Sequence, residues 1–140
     1  MNNSKNIIID KYTQPIFYPE YLYVIKNPTD DYIMNNFEWS DGSAIEKSEL
    51  LVGKGVTYSG ICKKDDSEHN LCIVICIFTK YFDNKLDAIN VCAHEANHAA
   101  FRMLDYCGIQ QNDSTTEVFA FVQGWITKCV YTTYKKKTNE

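Results

Sequence analysis

The pattern of apolar and polar positions in the first half of the chain is typical of β-strands. The segment "FYPEYLYVIKNP" is rich in Tyr, Val and Ile, and predicts a strand near Glu20 to Lys26 that ends before Pro28. Two further β-rich runs, Val56 to Cys62 and Leu71 to Thr79, flank a charged turn, as in a β-hairpin. Every residue from Leu71 to Phe78 is apolar, so we expect this strand to be buried on both faces.

The second half of the chain predicts two long helices. Asn84 can cap a helix that runs from Lys85 to about Tyr106, and Gly108 follows as a natural C-terminal stop. Apolar residues cover most of the circumference of this segment, which is typical of a central, buried helix. The loop "CGIQQND" leads to a second helix, from about Thr115 to Tyr134.

The segments between these elements are mostly polar. "TDDYIMNNFEWSDGS" is polar and rich in turn residues, and it leaves room for one helical turn. "SAIEKSELLVGKG" predicts a short helix that ends at Gly53 and Gly55. Together the elements indicate an α+β fold, in which a short, mainly antiparallel sheet packs on two long helices.

The length and charge of the chain restrict its organisation and its partners. A chain of 140 residues fits a single domain, which we assign to residues 1–134. Residues 135–140 form a basic tail that is expected to be solvated and disordered. The formal net charge of −4 argues against a nucleic-acid partner, because phosphate binding needs a basic surface.

Neither a secretion signal nor a membrane segment is expected. The N-terminal "MNNSKNIIIDKYTQ" lacks a small-residue cleavage site, and the longest apolar run, "LCIVICIF", is too short to span a bilayer. The six cysteines contain no C-x-x-C pair, and most of them lie among core-type residues. We therefore expect reduced thiols and a soluble protein of the cytoplasm.

The residues with the clearest chemistry lie in the first long helix, in "VCAHEANHAAFRML". His94 and His98 are four residues apart, so both imidazoles leave the same helix face one turn apart. Two ring nitrogens at this spacing can bind one Zn²⁺ at about 2.0–2.1 Å each. Glu95 is rotated off this line and can serve as a general base. Apolar neighbours such as Phe101 are expected to bury the helix, so the two imidazoles need either a metal or hydrogen-bond partners. The alternative to a metal site is therefore a pair of core histidines with hydrogen-bonded ring nitrogens.

A catalytic zinc ion usually has three protein ligands, so a third ligand has to come from elsewhere in the chain. The remaining histidine, His69, lies in the polar turn "DDSEHN" and is expected to be exposed. Glu117 is the best candidate, because a tight loop and a returning helix would bring it back beside the histidines. The alternative to a zinc ligand is a capping box formed by Ser114 and Glu117. In that case the Glu117 carboxylate only accepts a backbone N–H at the start of its own helix.

The pattern "HEANH", followed about twenty residues later by "TTEVFAF", resembles a minimal zincin of the gluzincin type. The resemblance implies that His94, His98 and Glu117 bind zinc and that Glu95 is the catalytic base. It also implies that the run Leu71 to Phe78 is the strand before the active helix, with an edge that aligns an extended peptide.

More narrowly, the chain is similar to small metallopeptidase-like proteins of tailed phages and prophages. The matching pieces are "YPEYLYVI", "CIVICIF", "HEANHAA" and "EVFAFVQGW", which are spread over most of the chain. For a phage protein, the expected cytoplasm is that of the host.

Three functions follow from these alternatives. The first is a zinc-dependent metallopeptidase with a peptide or protein substrate, in which zinc activates a water and Glu95 takes its proton. The second is a non-catalytic phage accessory, structural or interaction protein that is stabilised by the same zinc ion. The third is an interaction module without a metal, in which Glu117 only caps its helix.

Overall fold

The computed structural model describes residues 6–50, 52–64 and 71–138, and it has an α+β fold. Within these ranges one sheet contains the strands β1 (Ile8–Thr13), β2 (Tyr21–Lys26), β3 (Phe37–Trp39), β4 (Gly55–Cys62) and β5 (Leu71–Ile77). The helices are α1 (Asp30–Asn36), α2 (Lys85–Tyr106) and α3 (Thr116–Lys135), with 3₁₀ turns at Lys47–Glu49 and Thr79–Tyr81. The predicted fold class, a mainly antiparallel sheet with two long helices, is confirmed.

The strands lie in the order β1-β2-β5-β4-β3. The predicted hairpin is confirmed, because β4 pairs with β5 in antiparallel orientation and Thr57 lies opposite Ile75. β1–β2 and β3–β4 are also antiparallel, whereas β2 and β5 are parallel, with Val24 beside Ile75. We did not predict β1, an edge strand whose residues alternate between half-buried and exposed and which therefore carries a weak apolar signal.

Strand β5 separates two apolar cores, which explains why its sequence does not alternate. Ile73, Ile75 and Ile77 face the layer that contains α2 and α3. Val74 and Cys76 face the opposite side of the sheet, where Ile33 of α1 and Ile45 belong to the same apolar core. Burial of this strand on both faces is confirmed.

The predicted boundaries of α2 are confirmed. The Asn84 side chain accepts a hydrogen bond from the backbone N–H of Asp87, and Gly108 adopts a positive φ of 73° just after the helix. Three alanines on the buried side of α2 are at most 1% exposed, and they let the helix approach β4 and β5 closely: Ala96, Ala99 and Ala100. Helix α3 covers β1 and β2, and it begins and ends one residue later than predicted.

Two predictions for the middle of the chain were wrong. Residues Asp30–Asn36 form a helix of seven residues, because Thr29 caps it and Asp30 and Asp31 place negative charge in its first turn. The helix expected before Gly53 is only the 3₁₀ turn Lys47–Glu49. Its capping box closes a single turn, after which Leu50 is extended.

The C-terminal end of the chain is attached to the sheet. The Lys26 ammonium donates to the backbone oxygens of Tyr134 and Lys136, at the end of α3. Lys136 Nζ also lies 2.6 Å from Asp10 Oδ1 on β1. Lys136 of the predicted tail is therefore attached to the sheet, while residues 139–140 lie outside the described ranges.

None of the six cysteines forms a disulfide, in agreement with the expected reduced thiols. Cys72, Cys76, Cys92 and Cys129 are buried, as their sequence setting predicts. Burial raises the pKa of the Cys92 and Cys129 thiols to about 11. These groups therefore stay protonated at neutral pH and pack as small apolar side chains.

In the part of the chain that the structure describes, no helix has the length and apolar character needed to cross a membrane.

Two glycines give a matched test of the packing. A Cβ at Gly60 would lie 2.6 Å from the backbone oxygen of Glu38 on β3, whereas a Cβ at Gly124 on α3 would meet nothing within 4 Å. We expect Gly60→Ala to lower the free energy of unfolding by about 1–3 kcal/mol, because backbone has to move. Gly124→Ala should raise it by about 1 kcal/mol through helix propensity. Urea unfolding measures both, and equal midpoints would contradict the close approach of β3 to β4.

Candidate metal centre

The two histidines of α2 lie side by side on its solvent face. His94 Nε2 and His98 Nε2 are 3.1 Å apart, and the planes of the two rings meet at 75°. Two neutral imidazoles at this distance can form an N–H···N hydrogen bond, in which one ring is the donor and the other is the acceptor. Two nitrogens 3.1 Å apart can also bind one zinc ion at about 2.0–2.1 Å with an angle of about 100° between them, which is close to tetrahedral.

The exposure of this pair corrects one step of the sequence argument. We expected apolar neighbours to bury the imidazoles, but the His94 side chain is 64% exposed and His98 is exposed as well. Phe101, which was expected to contribute to that burial, is itself 41% exposed. Burial alone therefore does not require a partner for the imidazoles. The pair faces solvent, where a ligand can reach it.

Glu95 occupies the opposite kind of environment, between α2 and β4. Its side chain is only 6% exposed. The Thr57 hydroxyl donates to Glu95 Oε2 over 2.6 Å, and the other oxygen, Oε1, lies 4.0 Å from His94 Nε2. The carboxylate is therefore held by one oxygen, and its other oxygen lies near the histidine pair.

The Glu95 side chain packs closely against Gly55 of β4, where no side chain separates the strand from the helix. A Cβ at this position would lie 2.7 Å from Glu95 Cγ and 3.1 Å from Val91 Cγ1. Gly55 and Thr57 both contact Glu95, and neither contact was predicted from the sequence. A glycine at the start of a strand pattern is the signal that could have pointed to the close approach of another element.

An ion pair fixes the start of β4 against the start of α2. Lys54 Nζ lies 2.7 Å from Asp87 Oδ2, and this bond raises the pKa of Lys54 and lowers the pKa of Asp87. The same carboxylate oxygen accepts the backbone N–H of Asp83 just before the helix. This contact lies next to Gly55, and it therefore helps to hold β4 in register with the helix that carries the histidines.

Burial raises the pKa of the Cys76 thiol, and the nearby charge of Glu95 raises it further. The Cys76 thiol therefore stays protonated at neutral pH. A thiolate nucleophile or metal ligand at this position is not favoured.

Helices α2 and α3 are antiparallel, and two contacts define their register. The Asn97 side-chain amide donates to Gln123 Oε1 over 3.1 Å. The rings of Phe101 and Phe119 lie 5.1 Å apart, centroid to centroid. The step from Asn97 to Phe101, four residues toward the C-terminus of α2, thus corresponds to the step from Gln123 to Phe119, four residues toward the N-terminus of α3.

Two residues beyond the pair Phe101 and Phe119, the same register places Glu117 on α3 level with Met103 on α2. That level is five residues beyond His98, or roughly 7.5 Å along the helix axis at 1.5 Å per residue. Glu117 is exposed on the first turn of α3. The structure thus brings His94, Glu95 and His98 together, and it does not place the Glu117 carboxylate among them.

Glu117 does not take part in the capping box that was its alternative role. The N-cap of α3 is Thr115, which makes no side-chain cap hydrogen bond. The Ser114 hydroxyl instead donates to the Asn112 side chain. Within the described ranges the Glu117 carboxylate accepts no hydrogen bond, so a capping role does not occupy it.

Across residues 6–50, 52–64 and 71–138, no group of three or more His, Cys, Asp or Glu side chains is arranged to hold a metal ion. His69, the third histidine, lies outside the described residues. Zinc binding and the identity of a third ligand therefore stay predictions.

The strand expected to offer an edge to a peptide is the wrong one. The run from Leu71 is β5, which pairs with β2 on one side and β4 on the other, so neither edge is available. β3 pairs only with residues Gly60–Cys62 of β4. Among the described residues, no strand pairs with β4 on this side before Gly60, and this part of β4 passes Thr57, which lies beside Glu95.

No protein-family model matches the chain, and searches of curated proteins and of solved structures give no match either. The chemistry available to the chain is therefore inferred from the geometry of His94, Glu95 and His98 and from the β4 segment beneath them.

Proposed function

We propose that this protein is a zinc-dependent hydrolase that cleaves peptide bonds, with Glu95 as the general base. One observation carries the proposal. A buried carboxylate is held by Thr57 through one oxygen, and its other oxygen lies 4.0 Å from a solvent-facing pair of imidazoles. A fixed base beside two converging nitrogen donors is the arrangement that metal-assisted hydrolysis requires.

The donor atoms suit zinc. Imidazole nitrogen is a preferred zinc ligand, and the 3.1 Å between His94 Nε2 and His98 Nε2 fits two positions of a tetrahedral ion. Zinc bound here would lower the pKa of a water molecule and polarise a carbonyl oxygen. The exposure of both rings leaves the remaining positions open to water and substrate.

Glu95 can move a proton without losing its position. Oε1 is free to take a proton from a water next to the histidines, while the Thr57 hydroxyl stays bonded to Oε2. The same Oε1 can then deliver the proton to the leaving amine. Because the Glu95 side chain is only 6% exposed, its interactions with the reacting groups are weakly screened.

Glu117 is the third zinc ligand in this proposal. Its exposed carboxylate is free of the capping box, which supports the assignment. To reach His98 it would have to move along α2 by roughly 7.5 Å, the axial offset set by the helix register. The loop at residues 107–115 would have to rearrange for this to happen.

The outer edge of β4 supports a peptide as the substrate. An extended chain can add to an unpaired strand edge through backbone hydrogen bonds, largely irrespective of its side chains. An edge that begins at Gly55 and passes Thr57 would carry such a chain past Glu95. The absence of disulfides among six cysteines supports a reducing compartment, which we propose to be the cytoplasm.

A second candidate function is a metal-stabilised protein without catalysis. The separation of Glu117 from the histidines favours it, because a site with two protein ligands is not a complete catalytic centre. This alternative uses the same zinc ion and the same imidazoles.

Zinc reconstitution separates the two functions. Metal-free protein is loaded with one equivalent of zinc and incubated with a mixed peptide library, and the products are identified by mass spectrometry. We expect cleavage only in the loaded sample, loss of cleavage on chelation, and recovery when zinc is restored. Tight zinc binding with an intact library would instead support the non-catalytic function.

A further inference from the structure

Arg102 is the only arginine in the chain, and it lies one helical turn beyond His98 on α2. Residues four apart on a helix are surface neighbours, so its side chain leaves α2 close to the imidazoles. Its Nη1 donates to the Ser59 hydroxyl on β4 over 3.2 Å. The guanidinium is thus held over the same strand that supports Glu95.

The guanidinium has unused binding capacity. Arginine has five N–H donors, and Arg102 is an exposed residue that engages Ser59 through one nitrogen. None of the ion pairs among residues 6–50, 52–64 and 71–138 involves Arg102. A positive charge that is held in place, and that no carboxylate of the described residues neutralises, can bind a carboxylate from a ligand.

The spacing along β4 relates Arg102 to the proposed reaction. Thr57 lies under Glu95 and Ser59 lies under Arg102, two residues further along the strand. Two strand residues span roughly 6.5 Å, which is also the length of two residues of an extended peptide. A peptide on the β4 edge with its scissile bond beside Glu95 would therefore place the group two residues away next to Arg102.

We propose that Arg102 is a specificity-determining residue that binds a carboxylate of the peptide substrate about two residues from the scissile bond. The inference rests on the proposed function. A planar guanidinium matches a carboxylate with two parallel hydrogen bonds, which the lysine ammonium cannot reproduce. The carboxylate is either the C-terminus of the substrate or an Asp or Glu side chain.

Binding is measured on the zinc-loaded full chain with Glu95→Gln, so that the probe is not consumed, and again on metal-free wild type. The Nε–Hε NMR signal of Arg102 is the single arginine side-chain signal of this protein. The probes are N-acetylated penta-alanine with a free C-terminus, the same peptide as an amide, and the amide with aspartate at its third position.

We expect the Arg102 signal to shift with at least one carboxylate probe, which also identifies the source of the carboxylate. Binding of that probe should be about tenfold tighter than binding of the plain amide. Arg102→Gln should abolish the difference and Arg102→Lys should reduce it. Lys128→Gln, which removes an exposed charge from α3, should leave it unchanged.

Equal binding of acid and amide probes, or an equal shift with sodium acetate at the same concentration, would overturn the inference. So would Arg102→Gln changing only the free energy of unfolding, since a purely structural bond to Ser59 predicts that result. Hydrolysis of the same probes by zinc-loaded wild type is measured in parallel. Cleavage without carboxylate preference rejects the role of Arg102 alone, whereas selective binding without cleavage rejects the proposed hydrolysis alone.

Discussion

Replacing Glu95 with glutamine is expected to lower kcat for peptide hydrolysis by about 10²–10⁴-fold, the usual contribution of a general base, while zinc stays bound. Glutamine has nearly the same shape, and its Oε1 can still accept the Thr57 hydroxyl, so the contact between α2 and β4 is kept. Only the ability to take a proton is lost. Measuring kcat and zinc content on the same preparation checks both parts of the expectation.

Thr57 provides the matched control for this experiment. Thr57→Val keeps the volume of the side chain but removes the hydroxyl that holds Glu95 Oε2, and we expect kcat to fall about tenfold. Thr57→Ser should recover most of the loss because it restores the donor. An active Glu95→Gln variant would show that Glu95 is not the base, whatever happens at Thr57.

Removing either imidazole is expected to weaken zinc binding by about 10²–10³-fold. Four-ligand structural zinc sites are stabilised by about 10–16 kcal/mol, which is roughly 2.5–4 kcal/mol for each ligand. His94→Ala and His98→Ala each remove one nitrogen of a pair that lies 3.1 Å apart. Competition with a chromogenic chelator at neutral pH measures the affinity of each variant.

Asn97→Ala is the control for the histidine variants. Asn97 is exposed on the same stretch of α2, but its side chain bonds to Gln123 on α3. We expect its zinc affinity to match that of the wild type. A fall equal to that of the histidine variants would point to disturbance of the helix instead of ligand loss.

Local signals account for the elements that could be predicted from the sequence. Asn84 and Gly108 act on their own helix ends, so both ends of α2 could be predicted closely. The run from Leu71 to Ile77 indicates burial on both faces without any knowledge of its neighbours. The i, i+4 spacing of His94 and His98 is likewise a property of one helix.

The features that could not be predicted depend on contacts between distant segments. Thr57 and Glu95 are 38 residues apart, and only the register of β4 under α2 brings them together. The exposure of His94 depends on which side of α2 meets the sheet, and alanines on several sides hide that choice from the sequence pattern. For this reason the apolar character of the helix was mistaken for burial of the imidazoles.

The position of Glu117 also depends on a feature that the sequence pattern does not reveal, which is the conformation of the loop before α3. A returning helix was expected to bring its carboxylate to the histidines, but the loop before α3 decides how far along α2 the helix returns. Thr115 bonds to the Gln110 carbonyl and Ser114 to Asn112, and these local bonds set where α3 begins. A loop of different length would shift the register by several ångström without any change in the helices.

The coordination shell of zinc in the loaded protein is the most direct test, and X-ray absorption at the zinc edge measures it. The proposal predicts one zinc per chain with two imidazoles at about 2.0–2.1 Å, the remaining ligands being oxygen. Glu117→Ala should remove one oxygen contribution if α3 supplies the third ligand. A spectrum without imidazole scattering, or wild-type protein that retains no zinc, would contradict the claim that His94 and His98 form a metal site.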